Sequence, residues 1–531
     1  MSTRSPAAAL ANPALVYPMR FWASITPMIV AAALPLSALA ATDTGDSFQA
    51  ERAQAKAETK SGAKPASDPD KNAEANSDTK SDRKPDDKAG DDSKKPSDNG
   101  GDKSNEKSGD KSDQKTSDKD EKKSDDKSDD FWSRKNLLGD IGVLRPALQQ
   151  HGMTLAIVDT DEVLGNITGG RKQGTIYEGL TDLSLSIDFK PATRGILFSR
   201  AYQIRGRGLS ANYLDNLNTM SGIEAQRTTR LVELWYEQHF DYWRIRIGQQ
   251  TIGSEFLSPE NSRLFVNGAF GWPTLPATDL PSGGPGYPLA TPAVRVRVDP
   301  FEGLTLFTAV FNGDPTGAGV GGSQLADASG TAFRVGDGAF VISEIRYNEA
   351  SSDHNPSYRL GGWYNTERFP DRHFDTAGLS LANPASNGKP LQHGGDYSLY
   401  ASVDLPFLEP DSKTGFLLFA RAMGAPGDRN LVNFYGDAGV SYVNPFGFEG
   451  DKIGLAVGYA RVGQAARDLD ADMARFNAKP FPVRSGEAVL ELTYQHQLAG
   501  WWQVQPDFQY VINPGGGIPN PIAPSRRIGD A

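Results

Sequence analysis

The sequence predicts an all-β protein: a transmembrane, antiparallel β-barrel. A short helix and a long disordered N-terminal segment precede the barrel. Three observations support this fold class. Apolar and polar residues alternate strictly, the alternation recurs along most of the chain, and aromatic residues stand at the ends of the alternating runs.

The stretch TPAVRVRVDP, residues 291–300, shows the alternation most clearly. Successive side chains of a strand point to opposite faces, so Val294, Val296 and Val298 share one face. The other face carries Arg295, Arg297 and Asp299. A valine face suits lipid, and an arginine face suits a watery lumen.

About fifteen such runs, each of roughly ten residues, match the length of a tilted transmembrane strand. Some runs are joined by short turns and others by long polar loops, which predicts a barrel with one short-turn rim and one long-loop rim. The runs begin near Met153, Thr175, Gly195, Thr229, Tyr242, Ala293, Gly303, Gly338, Tyr358, Gly395, Lys413, Leu431, Lys452, Gly486 and Trp501.

A soluble β-sandwich or barrel with its apolar face inside would also alternate. The closely spaced charges of the polar faces favour the membrane protein, as do strand-end aromatics such as Trp243, Trp501 and Trp502. About fifteen tilted strands enclose a space too wide for side chains to fill, so we expect an aqueous interior.

Residues 1–40 are predicted to be a signal peptide. Arg20 precedes a long apolar run, and the tripeptide ALA at 38–40 fits a signal-peptidase site. An N-terminal membrane anchor is the alternative, and two prolines within the run weigh against it. We therefore expect export and a location in the outer membrane.

Residues 41–130 are predicted to be a disordered, charged linker. Residues 51–130 hold no aromatic and no aliphatic side chain larger than Ala, so the segment has nothing to bury. A contact with the cell wall or a periplasmic partner through 51–130 is the alternative. Residues 131–531 form the barrel domain, with a short helix near Ile141–Gln150 at its start.

Composition excludes several classes of function. The net charge of −11 argues against a nucleic-acid binder. The chain has no Cys and six scattered His, so we predict no metal site, and we expect no cofactor. An outer-membrane barrel enzyme would need a Ser, His and Asn or Asp constellation, and no His has a suitable spacing from Ser. An envelope tether is a third class.

Several motifs resemble the carbohydrate-selective porins of the OprB family. The similarity runs from about Leu138 to the end of the chain. Its motifs are LGD at 138–140 with the residues up to Gly152, EVLGNITGG at 162–170, YEGLTDLSLSIDF at 177–189, QIRGRGLSANYLDNL at 203–217, RTTRLVELWYEQHF at 227–240, RIRIGQQTIGSEF at 244–256 and YPLATPAVRVRVDP at 287–300.

The resemblance implies a sixteen-stranded outer-membrane barrel for the uptake of sugars such as glucose, narrowed by inward-folded loops. Two departures stand out. Ile141 and Val143 replace the usual Trp and Gly, and the chain stops at the tripeptide GDA, which opens the last strand in the family. The expectation is a truncated chain whose sixteenth strand is missing. The resemblance leaves a homotrimer open.

Sugars are neutral and rich in hydroxyl groups, so arginines, carboxylates and aromatic faces together could bind them. A second interpretation is that these charges only keep a wide pore hydrated, and a third is an anion-selective or general diffusion pore. The candidate lumen residues are Arg205, Glu233, Trp235, Glu237, Arg244, Arg246, Arg295, Arg297, Asp299, Glu344 and Arg346.

The connection at Ile252–Pro292 is a candidate for narrowing the lumen. It contains seven Pro and six Gly, and loops of this length are often functional. Its aromatic residues would pack if it folded into the lumen, and an extracellular flap is the alternative. Leu209–Thr228 is a second candidate loop.

Overall fold

The structure, a computed structural model, describes residues 131–141, 143–190, 193–317, 324–349, 356–408, 414–477 and 480–531. The predicted signal peptide and linker lie outside the described residues. Within the described ranges the strands are β1 Met153–Asn166, β2 Gly174–Asp188, β3 Gly195–Gly206, β4 Thr228–His239, β5 Trp243–Gln250, β6 Thr291–Phe301, β7 Leu304–Asn312, β8 Ala339–Asn348, β9 Ser357–Asp375, β10 Pro390–Leu408, β11 Gly415–Gly424, β12 Val432–Val443, β13 Lys452–Val462, β14 Gly486–Ala499, β15 Trp502–Val504 and β16 Asp507–Ile512.

The predicted short helix near Ile141–Gln150 is confirmed as α1, Leu144–Gln150, and Pro146 lies in its first turn, where proline is tolerated. In the part of the chain that the structure describes, no helix combines the length and apolarity needed to cross a membrane. The other helices are α2 Gly268–Gly271, α3 Thr274–Asp279, α4 Gln464–Asn477 and α5 Pro514–Gly517. Short 3-10 turns cover Phe131–Ser133, Asn261–Leu264, Pro281–Gly283, Gln324–Asp327 and Pro445–Gly447, and a π turn covers Ser210–Leu214.

The strands form one sixteen-stranded antiparallel sheet in which β1 to β15 follow sequence order. The predicted run near Trp501 corresponds to both β15 and β16, which pair with the same strand, β14. The break lies at Gln505 and Pro506. Proline has no amide to donate, and the side chain of Gln505 donates to the carbonyl of Leu264 inside the barrel at 2.9 Å. The other predicted starts agree within two residues, except that β10 begins at Pro390 rather than near Gly395.

The tripeptide at 529–531 lies between the two ends of the sheet. Ala531 and Val511 of β16 exchange backbone hydrogen bonds of 3.0 and 2.7 Å, and Gly170 beyond β1 donates to the carbonyl of Gly529 at 2.9 Å. These contacts bring the first and last strands into one barrel. Among the described residues, β1 and β16 share no ladder of their own.

The exposed fractions of the β6 side chains show which face of the sheet points outward. Val294 is 43% exposed, whereas its neighbour Arg295 is 1% exposed. The same pattern holds on β9 and β10, where Leu360 and Leu399 are exposed on the outer wall and Tyr400 is buried. The prediction that the valines face outward and the arginines inward is therefore confirmed for this segment.

The two rims of the barrel differ as predicted. Short turns join β4 to β5 and β6 to β7 at the rim where β1 begins, and long loops leave the opposite rim. The loop at 251–290, between β5 and β6, is the central one for the site. Its Ile252, Phe256 and Leu275 pack against Phe340 and Trp363 of the barrel wall. The loop therefore occupies part of the space that the wall side chains enclose.

Candidate functional site

Three charged residues form a row across neighbouring strands on the inner wall. Glu237 of β4 is the direct partner of Arg246 of β5, which is the direct partner of Arg295 of β6. The alternation of each strand turns all three side chains inward, and sheet register aligns them. We call them the charged row.

The loop at 251–290 completes the charged row with a fourth residue, Glu255. Arg295 donates to the two carboxylate oxygens of Glu255 at 2.8 and 2.7 Å and also to Glu237. Arg246 lies 2.9 Å from Glu237 and 3.3 Å from Glu255. Two arginines and two carboxylates therefore share one network with no net charge.

The pKa of Glu255 reflects this arrangement. Burial acts to raise the pKa of Glu255, but the guanidinium groups of Arg246 and Arg295 outweigh burial and hold the pKa below its usual value. Sequence reasoning missed Glu255. Its signal was an acidic residue in a loop rich in Pro, Gly and apolar side chains, five residues after a strand with alternating arginines.

An aromatic platform lies beside the charged row. The guanidinium carbon of Arg246 is 3.9 Å from the ring centroid of Trp235. Trp235 stacks on Phe198 of β3 with ring centroids 4.9 Å apart, so the two rings form one inward-facing surface. Sequence reasoning named Trp235 but not Phe198, whose neighbour across the strand pair could not be assigned without the register.

A second group lies closer to the short-turn rim. Arg297 donates from Nε to both carboxylate oxygens of Asp299 at 3.0 Å, and Thr305 also donates to Asp299, at 2.8 Å. Arg244 is 3.9 Å from the same carboxylate. The side chains of Arg244, Arg297 and Asp299 are 32%, 30% and 29% exposed, whereas that of Arg295 is 2% exposed. This second group is therefore the one that a solute could reach.

Glu344 and Arg346 of β8 hold the loop against the wall. Arg346 lies 2.8 Å from Glu344 and donates to the backbone carbonyl of Glu255 at 2.6 Å. Glu344 accepts from the hydroxyl of Tyr400 at 2.9 Å and from the amide of Leu257 at 3.3 Å. The side chain of Glu344 is fully buried, so its role is to anchor the loop.

Glu233 also lies inside the barrel, but apart from the charged row. Arg200 lies 3.1 Å from Glu233 and 3.2 Å from Asp182. A β-bulge at this point leaves Val232 unpaired, and its side chain is buried in an apolar cluster on the inner face. The bulge adds one residue to β4 and turns two consecutive side chains inward.

The structure places Arg205 on the outer face, so its prediction as a lumen residue is wrong. The even-numbered side chains of β3, such as Ile204, are buried inside, and Arg205 has the opposite parity. Arg205 instead donates to Asp159 and Asp161 at 2.8 and 2.9 Å. Their neighbour Ile157 is 60% exposed on the same face.

The loop at 251–290 crosses the barrel to the opposite wall. Glu491 of β14 accepts the amide of Asn267 at 2.9 Å, and Asp404 of β10 accepts the amide of Asn261 at 3.0 Å. Arg421 of β11 donates to backbone carbonyls of the same loop. The second candidate loop is also inside, since Glu487 accepts the amides of Leu217 and Asn218 at 2.6 Å.

Comparisons with known proteins agree with this architecture. The family model described as carbohydrate-selective porin, OprB family, matches residues 172–531. Porin B of Pseudomonas aeruginosa is 24% identical over 414 residues, which cover 72% of this chain and 87% of that protein. The high-pH structure of Pseudomonas putida OprB superposes with a TM-score of 0.64 at 20% identity, over 75% of this chain and 97% of that one.

Proposed function

Since the chain belongs to the carbohydrate-selective porins of the OprB family, we propose that it passes neutral, glucose-like sugars by facilitated diffusion through a passage lined by paired charges and aromatic rings. Family membership makes the chain an outer-membrane carbohydrate channel rather than an enzyme. The choice of sugar and the roles of single residues are the proposal.

The neutrality of the charged row is the observation that supports neutral sugars most directly. Each of its arginines shares carboxylates with the other, so the row adds no net charge that would attract either sign of ion. An anion-selective pore would instead present arginines without carboxylate partners. The pairing thus favours hydroxyl-rich, uncharged solutes over phosphate or chloride.

We propose that a sugar meets two kinds of surface in the lumen. Arg244, Arg297 and Asp299 present exposed donors and acceptors to vicinal hydroxyl groups. The stacked rings of Trp235 and Phe198 present a flat apolar face to the C–H side of a pyranose. The loop at 251–290 narrows the passage by crossing it, and Arg346 and Glu344 hold that loop in place.

Three further features belong to the same proposal. Residues 1–40 direct export, and residues 41–130 act as a spacer, with contact to the cell wall or a periplasmic partner through 51–130 as the alternative. The barrels assemble as homotrimers in the membrane.

Deletion of residues 51–130 distinguishes a channel, which keeps conducting, from an envelope tether, which loses its effect on the cell envelope.

The experiment that tests the proposal is planar-bilayer conductance of the refolded chain. Glucose should reduce the current in a concentration-dependent manner, and phosphate should not. A channel blocked by phosphate but not by glucose would contradict the proposal and favour an anion pore. A current insensitive to both would indicate a general diffusion pore.

A further inference from the structure

A cavity of about 450 Å³ opens at the long-loop rim, apart from the charged row. Tyr177 of β2, Arg207 after β3, Tyr213 of the π turn and Arg227 before β4 line it. Tyr177 is 45% exposed on the outer wall, and both arginines are exposed. The proposed sugar passage uses none of these residues.

The cavity is lined by two positively charged side chains. Within the residues that the structure describes, neither Arg207 nor Arg227 forms an ion pair. Asp161 is occupied elsewhere, because it accepts from the hydroxyl of Tyr177 at 2.6 Å and from Arg205 at 2.9 Å. A third cation, Lys172, lies 4.6 Å from the ring centroid of Tyr213 and adds to the charge.

The backbone holds the lining residues in place. The amide of Arg207 donates to the carbonyl of Tyr177 at 3.0 Å, and the amides of Arg171 and Lys172 donate to the carbonyl of Tyr213 at 2.7 and 3.1 Å. The Tyr213 ring packs on Gly174 so closely that a Cβ there would come within 2.4 Å of the ring. The cavity is therefore formed before any ligand arrives, which lowers the ordering cost of binding.

We propose that this cavity binds a phosphorylated saccharide. The guanidinium groups of Arg207 and Arg227 match the geometry of phosphate oxygens, and the rings of Tyr177 and Tyr213 offer faces to the sugar. A neutral sugar would leave both arginines unbalanced. This inference goes beyond the proposed function, because it concerns a second site and a charged ligand.

Two sources present this chemistry: the headgroup of a phosphorylated glycolipid in the outer leaflet, and a soluble sugar phosphate. The position of the cavity favours the glycolipid. Ile157 and Leu183 are exposed apolar residues on this outer face. Beyond them, next to Tyr177, the same face carries the polar group of Asp159, Asp161 and Arg205. A headgroup would lie at this boundary between the apolar band and water.

The test measures binding to the full chain folded in detergent. One arm uses a bis-phosphorylated glucosamine disaccharide lipid and its dephosphorylated form, and the other uses glucose 6-phosphate and glucose. The variants are R207A/R227A, the charge-preserving R207K/R227K, and Arg368→Ala as a control, since Arg368 is an exposed arginine on the distant strand β9. Heat-modifiable migration on gels confirms that each variant is folded.

We expect the phosphorylated lipid to bind and the dephosphorylated lipid not to bind. Loss of two charge-assisted hydrogen bonds, at about tenfold each, predicts about a hundredfold weaker binding by R207A/R227A. R207K/R227K should bind the lipid with an affinity between those of the wild type and R207A/R227A. The affinity of Arg368→Ala should stay within about twofold of the wild type. Arginine-dependent binding of glucose 6-phosphate alone would support the site and assign it to the soluble source.

Absence of binding by both phosphorylated probes would overturn the proposal, as would equal binding by wild type and R207A/R227A. Conductance separates this result from the proposed sugar passage. R207A/R227A should retain the block of current by glucose, because the proposed sugar passage uses neither arginine. If glucose does not block the current of the wild-type channel, the proposed sugar passage is refuted, and the binding result for the cavity is unaffected.

Discussion

Glu255→Gln tests whether the neutrality of the charged row sets the ion selectivity of the channel. Removing one carboxylate leaves Arg246 and Arg295 with Glu237 alone, a net change of one positive charge in the lumen. At about 8 Å from that charge and an effective dielectric constant of about 40, a passing ion changes its energy by about 1 kcal/mol. That energy corresponds to about a fivefold shift of the permeability ratio toward anions.

The assay is the reversal potential of the variant channel under a salt gradient. The amide oxygen of Gln can still accept from Arg295, so we expect the barrel to fold and the loop to stay in place. Glu302→Gln is the matched control, because Glu302 is exposed in the turn between β6 and β7 and its loss changes the net charge equally. A reversal potential that moves equally in both variants, or toward cations, would refute the reasoning.

Three further predictions follow from the same contacts. Trp235→Ala should weaken glucose block of the current about fivefold through loss of about 1 kcal/mol of ring contact, and Tyr236→Ala on the outer face should leave the block unchanged. Arg421→Ala removes the ion-pair partner of the buried Asp437 and several contacts to the loop at 251–290. It should therefore lower the free energy of unfolding by about 3–5 kcal/mol and raise the single-channel conductance as the loop detaches. A stable variant with unchanged conductance would contradict the anchoring role. Because the two neighbouring arginines outweigh burial and lower the pKa of Glu255, its stabilising ion pairs should persist from neutral pH down to the usual carboxyl value of 4.5 and disappear only as pH falls through the lowered pKa. The difference in melting temperature between the wild type and Glu255→Gln should therefore stay the same from neutral pH down to pH 4.5, and a loss of that difference above pH 4.5 would count against these ion pairs.

The barrel itself was readable from the sequence because its signal is local. A period of two residues requires only that neighbouring side chains point to opposite faces, and segments such as 291–298 record it directly. The strand positions, the two kinds of rim and the inward direction of Arg246, Arg295, Arg297 and Asp299 all follow from that period. The resemblance to the porin family rests on the same stretches.

The local period fails where both faces of a strand are polar or where the ladder is irregular. Arg205 stands near the rim, where Gln203 and Arg205 make the outer face look like a lumen face, so residue type could not decide its direction. Val232 turned inward because a bulge breaks the period at one residue. Neither the outward direction of Arg205 nor the bulge at Val232 can be recognised from the amino-acid composition of the strand.

What the sequence determined alone is therefore the membrane barrel and the set of charges that most of its inner wall carries. Only the tertiary structure decided how those charges are paired. Glu255 reaches Arg295 from 40 residues away along the chain, and Glu491 reaches Asn267 from 224 residues away. Alternation is a property of neighbouring residues, whereas charge neutrality in the lumen depends on contacts between distant ones, which form only when the loop folds into the barrel.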